Sequence, residues 1–284
     1  MLTVLTACSP RQLVVRSMAD ELAGQGMGAE SDLDLAREAS AFYLKLSESV
    51  LQQAPDHRLL AESVAAGFTQ YAYAFVAFDA DRIEARDVKQ AERLRQRAAR
   101  LYLRAQRHAM NALETARPGF AAALARPQAS EWPVLRKDQV GLAYWAAAAW
   151  GGAISLSKDD PDAVADLPLA IRLAELAWAM DPEWGEGALT SLMATFEAAR
   201  PGGSSQRAQA LFERSFAQSK GRSIGPLVGQ AEAIALPAGD RAVFETLLNQ
   251  ALAFKDAPAG PQALQNEVMR RRARWLLDAA DDLF

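Results

Sequence analysis

Two histidines, His57 and His108, and one cysteine, Cys8, are all the imidazole and thiol chemistry in this 284-residue chain. A zinc site draws on several Cys or His ligands, and histidine acid–base catalysis needs a positioned partner, so neither is expected. A single cysteine also rules out an internal disulfide framework. The run Lys158-Asp159-Asp160-Pro161-Asp162 has carboxylates, but a proline interrupts it and no calcium-loop glycine-to-glutamate pattern follows, so a capped, rigid turn is expected. Gly151-Gly152 and Gly202-Gly203 lack the Lys-Ser/Thr ending and the preceding strand of a phosphate loop. No nucleophile elbow, HExxH pair or supported SxxK motif occurs. The expectation is a non-enzyme without metal or cofactor.

The aromatic residues offer more. Tyr71, Tyr73, Phe75, Tyr144, Trp145, Trp150, Trp178 and Trp184 fall on segments that a helical array would gather. Tyr and Trp join a large apolar surface to one polar group, which suits a ligand opening or a peptide groove. Core packing accounts for any one of them taken singly. Collectively, Tyr71, Tyr144, Trp145 and Trp184 are the candidates for lining an opening. Arg93, Arg97, Arg100, Arg104 and Arg107 recur at helical spacing. They could form a surface for an anionic partner or a solvated face with local partners such as Glu84, Asp87 and Glu92; the solvated face is the expectation.

Helices must position these residues. In 166–184, Ala170, Leu173, Ala174 and Ala177 recur at i, i+3, i+4 and i+7, with Asp166 as a candidate N-cap and Pro182 as a stop. Small residues at 170, 174 and 177 followed by Pro182 match the second half of a tetratricopeptide (TPR) unit. Ala105, Ala109, Ala112 and Pro118 repeat this nearly. Ala208, Phe212 and Ser215 give a third copy, and Ala242 and Thr246, with Leu247-Leu248 and Ala251, a looser fourth. Only the last interval has the TPR length of about 34 residues. Further helices are expected at 33–51, 57–78 (Asp56 capping, Gly67 permitting close contact), 79–117, 138–155 (Asp138 capping), 185–199, 224–236 and 262–281. Loops are expected at 125–130, 157–162, 201–205 and 257–261. The predicted fold is all-α, an irregular TPR-like stack of helical hairpins (an α-solenoid) with about ten to twelve helices.

The net charge of −4 gives no basic surface suited to nucleic acid. No apolar run is long enough to cross a membrane. Leu5-Thr6-Ala7-Cys8 fits a bacterial lipobox, whose cysteine is acylated; the segment before it is short and lacks a basic region, as if the sequence began inside a leader. Residues 1–32 are therefore read as a truncated lipoprotein leader and tether, and 33–284 as a single helical domain.

At 144–188 the motifs take a familiar order. Tyr144-Trp145-x4-Trp150-Gly151, Ser157-Lys158-Asp159-Asp160-Pro161 and Ala177-Trp178-x2-Asp181-Pro182-x-Trp184-x2-Gly187-Ala188 resemble the T-component family of TRAP (tripartite ATP-independent periplasmic) transporters. Pro118-Gly119-Phe120, Arg200-Pro201-Gly202-Gly203 with Ala210-x-Phe212-Glu213, Gly239-Asp240-Arg241-x2-Phe244 and Asn266-x6-Ala273-x2-Leu276-Leu277 extend the resemblance over about residues 33–284. The resemblance implies a TPR-like periplasmic lipoprotein, lipid-anchored through Cys8, with the outer membrane favoured over the inner. It also implies association with the solute-binding P-component, a homotrimer, and a hole in each protomer that holds or passes a small hydrophobic ligand. The alternative is a TPR-like envelope scaffold that binds a peptide or protein on its concave surface.

Overall fold

The computed structural model describes residues 10–25, 30–255, 260 and 262–284. Cys8 and the rest of the lipobox lie outside the described residues, as do 26–29 of the expected tether and 257–259 and 261 of the expected last loop. The described elements are α1 (Pro10–Gly24), α2 (Leu33–Gln53), α3 (Arg58–Tyr71), a π-helical turn (Ala72–Ala77), α4 (Phe78–Ile83), α5 (Val88–Ala116), α6 (Phe120–Leu124), α7 (Val140–Ser155), α8 (Pro161–Ala165), α9 (Leu167–Met180), α10 (Ala188–Ala199), α11 (Ser205–Gln218), α12 (Gly225–Gln230), a second π-helical turn (Ala231–Ala235), α13 (Arg241–Ala253), α14 (Ala263–Asp278) and α15 (Ala280–Leu283). Short 3₁₀ turns occupy Ala129–Glu131, Lys137–Gln139 and Trp184–Gly187. The described residues include no strand, so the fold is all-α.

Neighbouring helices pack in succession: α3 on α5, α5 on α7, α7 on α9, α10 on α11 and α13 on α14. Alanines make the close approaches. Ala105 and Ala109 on α5, and Ala170, Ala174 and Ala177 on α9, are fully buried. Helix α7 is apolar nearly all round because α3, α5 and α9 cover it. Glycines admit rings where an alanine would collide. A Cβ at Gly151 would stand 2.7 Å from the Phe196 ring, and one at Gly152 would stand 2.8 Å from the Tyr102 ring. Gly67 likewise receives Leu44.

Several local expectations change. Residues 10–24 lie in the stretch read as leader and tether, yet they form α1, which packs on α2 and α3 and buries Ala19 and Leu22. The N-cap of α3 is His57, whose Nδ1 accepts from the Leu60 N–H at 3.1 Å, and not Asp56. Asp138 does not cap α7: it lies inside the preceding 3₁₀ turn and pairs with Arg58 and Arg136, while the Gln139 side chain accepts from the Arg136 N–H. Asp166 occupies the N-cap position of α9, but its carboxylate accepts from Trp150 Nε1 at 3.3 Å. The long element expected at 79–117 breaks before Asp87, which accepts from the Gln90 N–H at 2.9 Å and starts α5. The fourth repeat copy is out of phase. Ala242 and Thr246 are exposed, whereas Phe244, Leu247, Leu248 and Ala251 are buried, because the apolar stripe of α13 is carried by those larger residues. Asp160 does cap α8, as the turn reading expects.

A buried carboxylate pins α2 to α5. Glu48, 2% exposed, receives hydrogen bonds from Arg104, from His108 Nε2 at 2.8 Å and from Lys45. Arg104 lies over the Phe68 ring and His108 stacks on it, so α3 is held in the same joint. Burial alone would raise the Glu48 carboxyl, but the bonds from Arg104, Lys45 and His108 outweigh it and lower it to about 2. A lowered carboxyl stabilises the fold fully above its unfolded value, and that contribution fades as pH falls through the folded one. Glu48→Gln is therefore expected to cost about 2–3 kcal/mol in urea unfolding at neutral pH. The gap to wild type should close between the ordinary value of 4.5 and about 2; a gap independent of pH would show that the charge is not what holds the joint.

Candidate functional site

Tyr144 and Trp145 on α7 meet Trp184, the first residue of the turn between α9 and α10. The Tyr144 ring lies 4.7 Å from Trp145 and 4.5 Å from Trp184, centroid to centroid, and the two indoles are 6.5 Å apart at 85°. Edge-to-face and tilted contacts of this kind suit the ring quadrupoles. Burial pushes the Tyr144 phenol up to about 12, so it stays a neutral hydrogen-bonding group. Tyr71, the fourth candidate, stands apart. It makes an edge contact with Phe75 at 5.5 Å and packs beside Leu33 and Leu264, where α14 meets the first part of the chain.

The tryptophans divide by hydrogen bonding. The N–H groups of Trp132, Trp150 and Trp178 donate to Arg126 O, Asp166 Oδ2 and Thr190 Oγ1 at 2.9, 3.3 and 3.2 Å. Among the described residues, Trp145 Nε1, Trp184 Nε1, Trp275 Nε1 and the Tyr144 hydroxyl have no protein hydrogen-bond partner; Trp275 lies elsewhere, against Phe78 and Arg272. Tyr144, Trp145 and Trp184 are half-buried, and their unpartnered polar atoms are not enclosed, so they reach solvent. The triad thus combines aromatic surface with three uncommitted polar groups.

The turn that carries Trp184 is held from several sides. Gly185, Glu186 and Gly187 have φ of 61°, 53° and 95°, three successive left-handed residues. The Gly187 carbonyl accepts from Ser215 Oγ at 2.8 Å, and the Pro182 carbonyl accepts from Thr190 Oγ1 and Gln218 Nε2, each at 3.0 Å. Arg222 pairs with Glu186 at 2.6 Å. Outside the turn lies a shallow depression of about 510 Å³, lined in part by Glu183, Glu186, Arg214, Lys220 and Arg222. Thr190, Gln218 and Arg222 carry no signal in the sequence, and Ser215 is read there only as a small packing position; each is an ordinary polar residue whose partner lies elsewhere in the chain.

A second cluster joins α14 to α4 and the second π-helical turn. Arg272 on α14 makes three bonds of 2.6–2.9 Å to Glu232 in the second π-helical turn and one of 3.1 Å to Asp81 on α4. Its guanidinium stands over the rings of Tyr73, Phe78 and Trp275. Burial opposes its charge, but Tyr73, Glu232 and Asp81 more than compensate and hold it well above its ordinary value. Burial also pushes the Tyr73 phenol up to about 12, and Tyr73 Oη lies 3.7 Å from Met269 Sδ.

A family model described as "TRAP transporter T-component" matches residues 29–284. The chain belongs to the TRAP transporter T-component family. It is also 29% identical over 262 residues to an uncharacterized protein of Treponema pallidum (strain Nichols), an alignment covering 90% of this chain and 81% of the relative. The T-component is part of a TRAP transport system, whose components are associated with the cell envelope. Among the described residues, no helix of this T-component is long and apolar enough to cross a membrane.

Gly187 tests the turn. A Cβ there would stand 2.6 Å from the Ser215 carbonyl oxygen at a φ that side chains rarely adopt. Gly187→Ala is expected to cost about 2 kcal/mol in thermal or urea unfolding and to alter the near-ultraviolet dichroism of the tryptophans. An unchanged spectrum and midpoint would mean that the turn is not tightly held.

Proposed function

We propose that this T-component is a non-catalytic periplasmic partner of the solute-binding P-component, and that it holds or passes a small hydrophobic ligand at the Tyr144–Trp145–Trp184 triad. The observation that carries the ligand reading is the contrast among tryptophans. Trp132, Trp150 and Trp178 have committed N–H groups and Trp275 is packed between Phe78 and Arg272, while the N–H groups of Trp145 and Trp184 remain available beside Tyr144 in one aromatic cluster. A ligand with an apolar body and one or two acceptors would cover the rings and meet those donors. In this reading the paired helices form an irregular TPR-like stack, Tyr71, which stands apart from the triad, is outside the ligand site, and three copies assemble as a trimer. Acylation of Cys8 anchors the protein to the envelope, at the outer membrane in preference to the inner. Transfer between the two proteins follows their difference in ligand affinity.

The test pairs capture with binding. Tagged full-length protein should retain the P-component of its own transport system, and native mass spectrometry should show a trimer that takes it up. An apolar naphthalene-type fluorescent probe should bind wild type, and Trp145→Ala or Trp184→Ala should each weaken it by about tenfold, the effect of removing one well-buried aromatic contact. Equal probe affinity in wild type and both variants would remove the triad from the ligand site. Failure to retain the P-component, with both proteins folded, would favour the envelope scaffold that binds a peptide or protein.

A further inference from the structure

The arginine row on α5 lacks the acidic neighbours that a merely solvated face would have. Glu84 is bound to Arg95, Asp87 caps the helix at Gln90, and Glu92 accepts from Gln96 at 2.8 Å. Arg93 bonds only Gln90, and Arg104 is committed to Glu48. Among the described residues, Arg97, Arg100 and Arg107 have no carboxylate partner, and all three are exposed. With Arg104 they border a shallow depression of about 410 Å³ whose remaining lining is Leu101 and Leu103. The row from Arg97 to Arg107 runs about 15 Å along the helix. It is a local excess of positive charge on a chain whose net charge is −4.

We infer that this face of α5 rests on an anionic phospholipid surface. Three features favour a sheet of headgroups over an acidic protein. The guanidinia form an extended row around a shallow floor and do not enclose a specific shape. Leucines stand among them, Leu103 being 40% exposed, and arginine mixed with leucine is the composition of a surface that sits at a bilayer interface. The neighbouring helix continues the pattern: Lys45 of α2, which shares Glu48 with Arg104, is exposed, and Phe42, one turn earlier, is 74% exposed. Guanidinium pairs well with lipid phosphate, and exposed leucine and phenylalanine can enter the headgroup boundary. The inference does not depend on acylation of Cys8, because the contact is made by side chains of the folded domain. An anchor at Cys8 and this face would act together, since one weak membrane signal rarely suffices alone.

The full chain, expressed without export so that Cys8 stays unacylated, is mixed with vesicles of phosphatidylglycerol and phosphatidylethanolamine and sedimented. Wild type should bind these vesicles, bind phosphatidylcholine vesicles far less, and be released by high salt. The variant R97Q/R100Q/R107Q should bind on the order of a hundredfold more weakly, from a roughly fivefold loss per arginine. The charge-matched control R136Q/K137Q/K158Q should bind as wild type does. Circular dichroism verifies the fold of each, and Phe42→Ala, which leaves the charge unchanged, should also reduce binding. No binding by folded wild type to anionic vesicles, or equal loss in the control, would overturn the inference. So would failure on vesicles combined with arginine-dependent capture of the P-component, which would identify the row as a protein-docking face.

Discussion

The contact between Arg272 and its two carboxylates sets how α14 meets α4 and the second π-helical turn. Glu232 comes from the turn after α12, Asp81 from α4, and Arg272 from α14, so one guanidinium binds segments 40 and 191 residues away. A charge so enclosed is tolerated only when its partners and geometry offset lost hydration. The partners here are two carboxylates and the faces of three aromatic rings. Around them, Ala36, Ala74, Phe75 and Val268 form a small apolar cluster that seals α14 to α2 and the first π-helical turn. Tyr71 and Tyr73 pack against this cluster.

The other organising joint is at α7. Its apolar surface brings α3, α5 and α9 together, and its glycines let Tyr102 and Phe196 press against the backbone. The same helix presents Tyr144 and Trp145 toward the turn after α9. Packing and candidate site are therefore two faces of one element. The sequence of committed hydrogen bonds along that turn, from Pro182 through Gly187, fixes Trp184 against them.

Much of the fold was legible because helix signals are local. The stripe of Ala170, Leu173, Ala174 and Ala177 and the stop at Pro182 needed only periodicity and proline geometry. Cap assignments were less secure: Asp56 and Asp138 have the right chemistry, yet His57 and Gln139 hold those cap positions, and Asp166 keeps the N-cap position of α9 while its carboxylate turns to Trp150. The fourth repeat failed for a related reason, since small residues signal close packing only if their phase faces the core, and Phe244 and Leu248 set the phase of α13. Of the candidate site, Tyr144, Trp145 and Trp184 could be proposed from residue type, but not the contacts that collect them. Nothing in the spacing of Ser215 or Gln218 shows that their partners are carbonyls at Gly187 and Pro182. Likewise, Glu84, Asp87 and Glu92 are close in sequence to the arginine row, but their orientations direct them to other groups.

The π-helical turns at Ala72–Ala77 and Ala231–Ala235 carry a consequence for how length is encoded. Each holds Tyr73 or Glu232 of the junction. A wide turn of this kind accommodates about one residue more than an α-helical turn. Each residue of an α-helix advances the chain by about 100°, so one extra residue at ordinary winding would turn everything downstream by that angle. The wide turn takes up that residue locally, so the first turn leaves Asp81 at its angle to Arg272. The meeting of α14 with α4 is thus written partly as angular phase, kept by a turn that absorbs a residue without passing its rotation on.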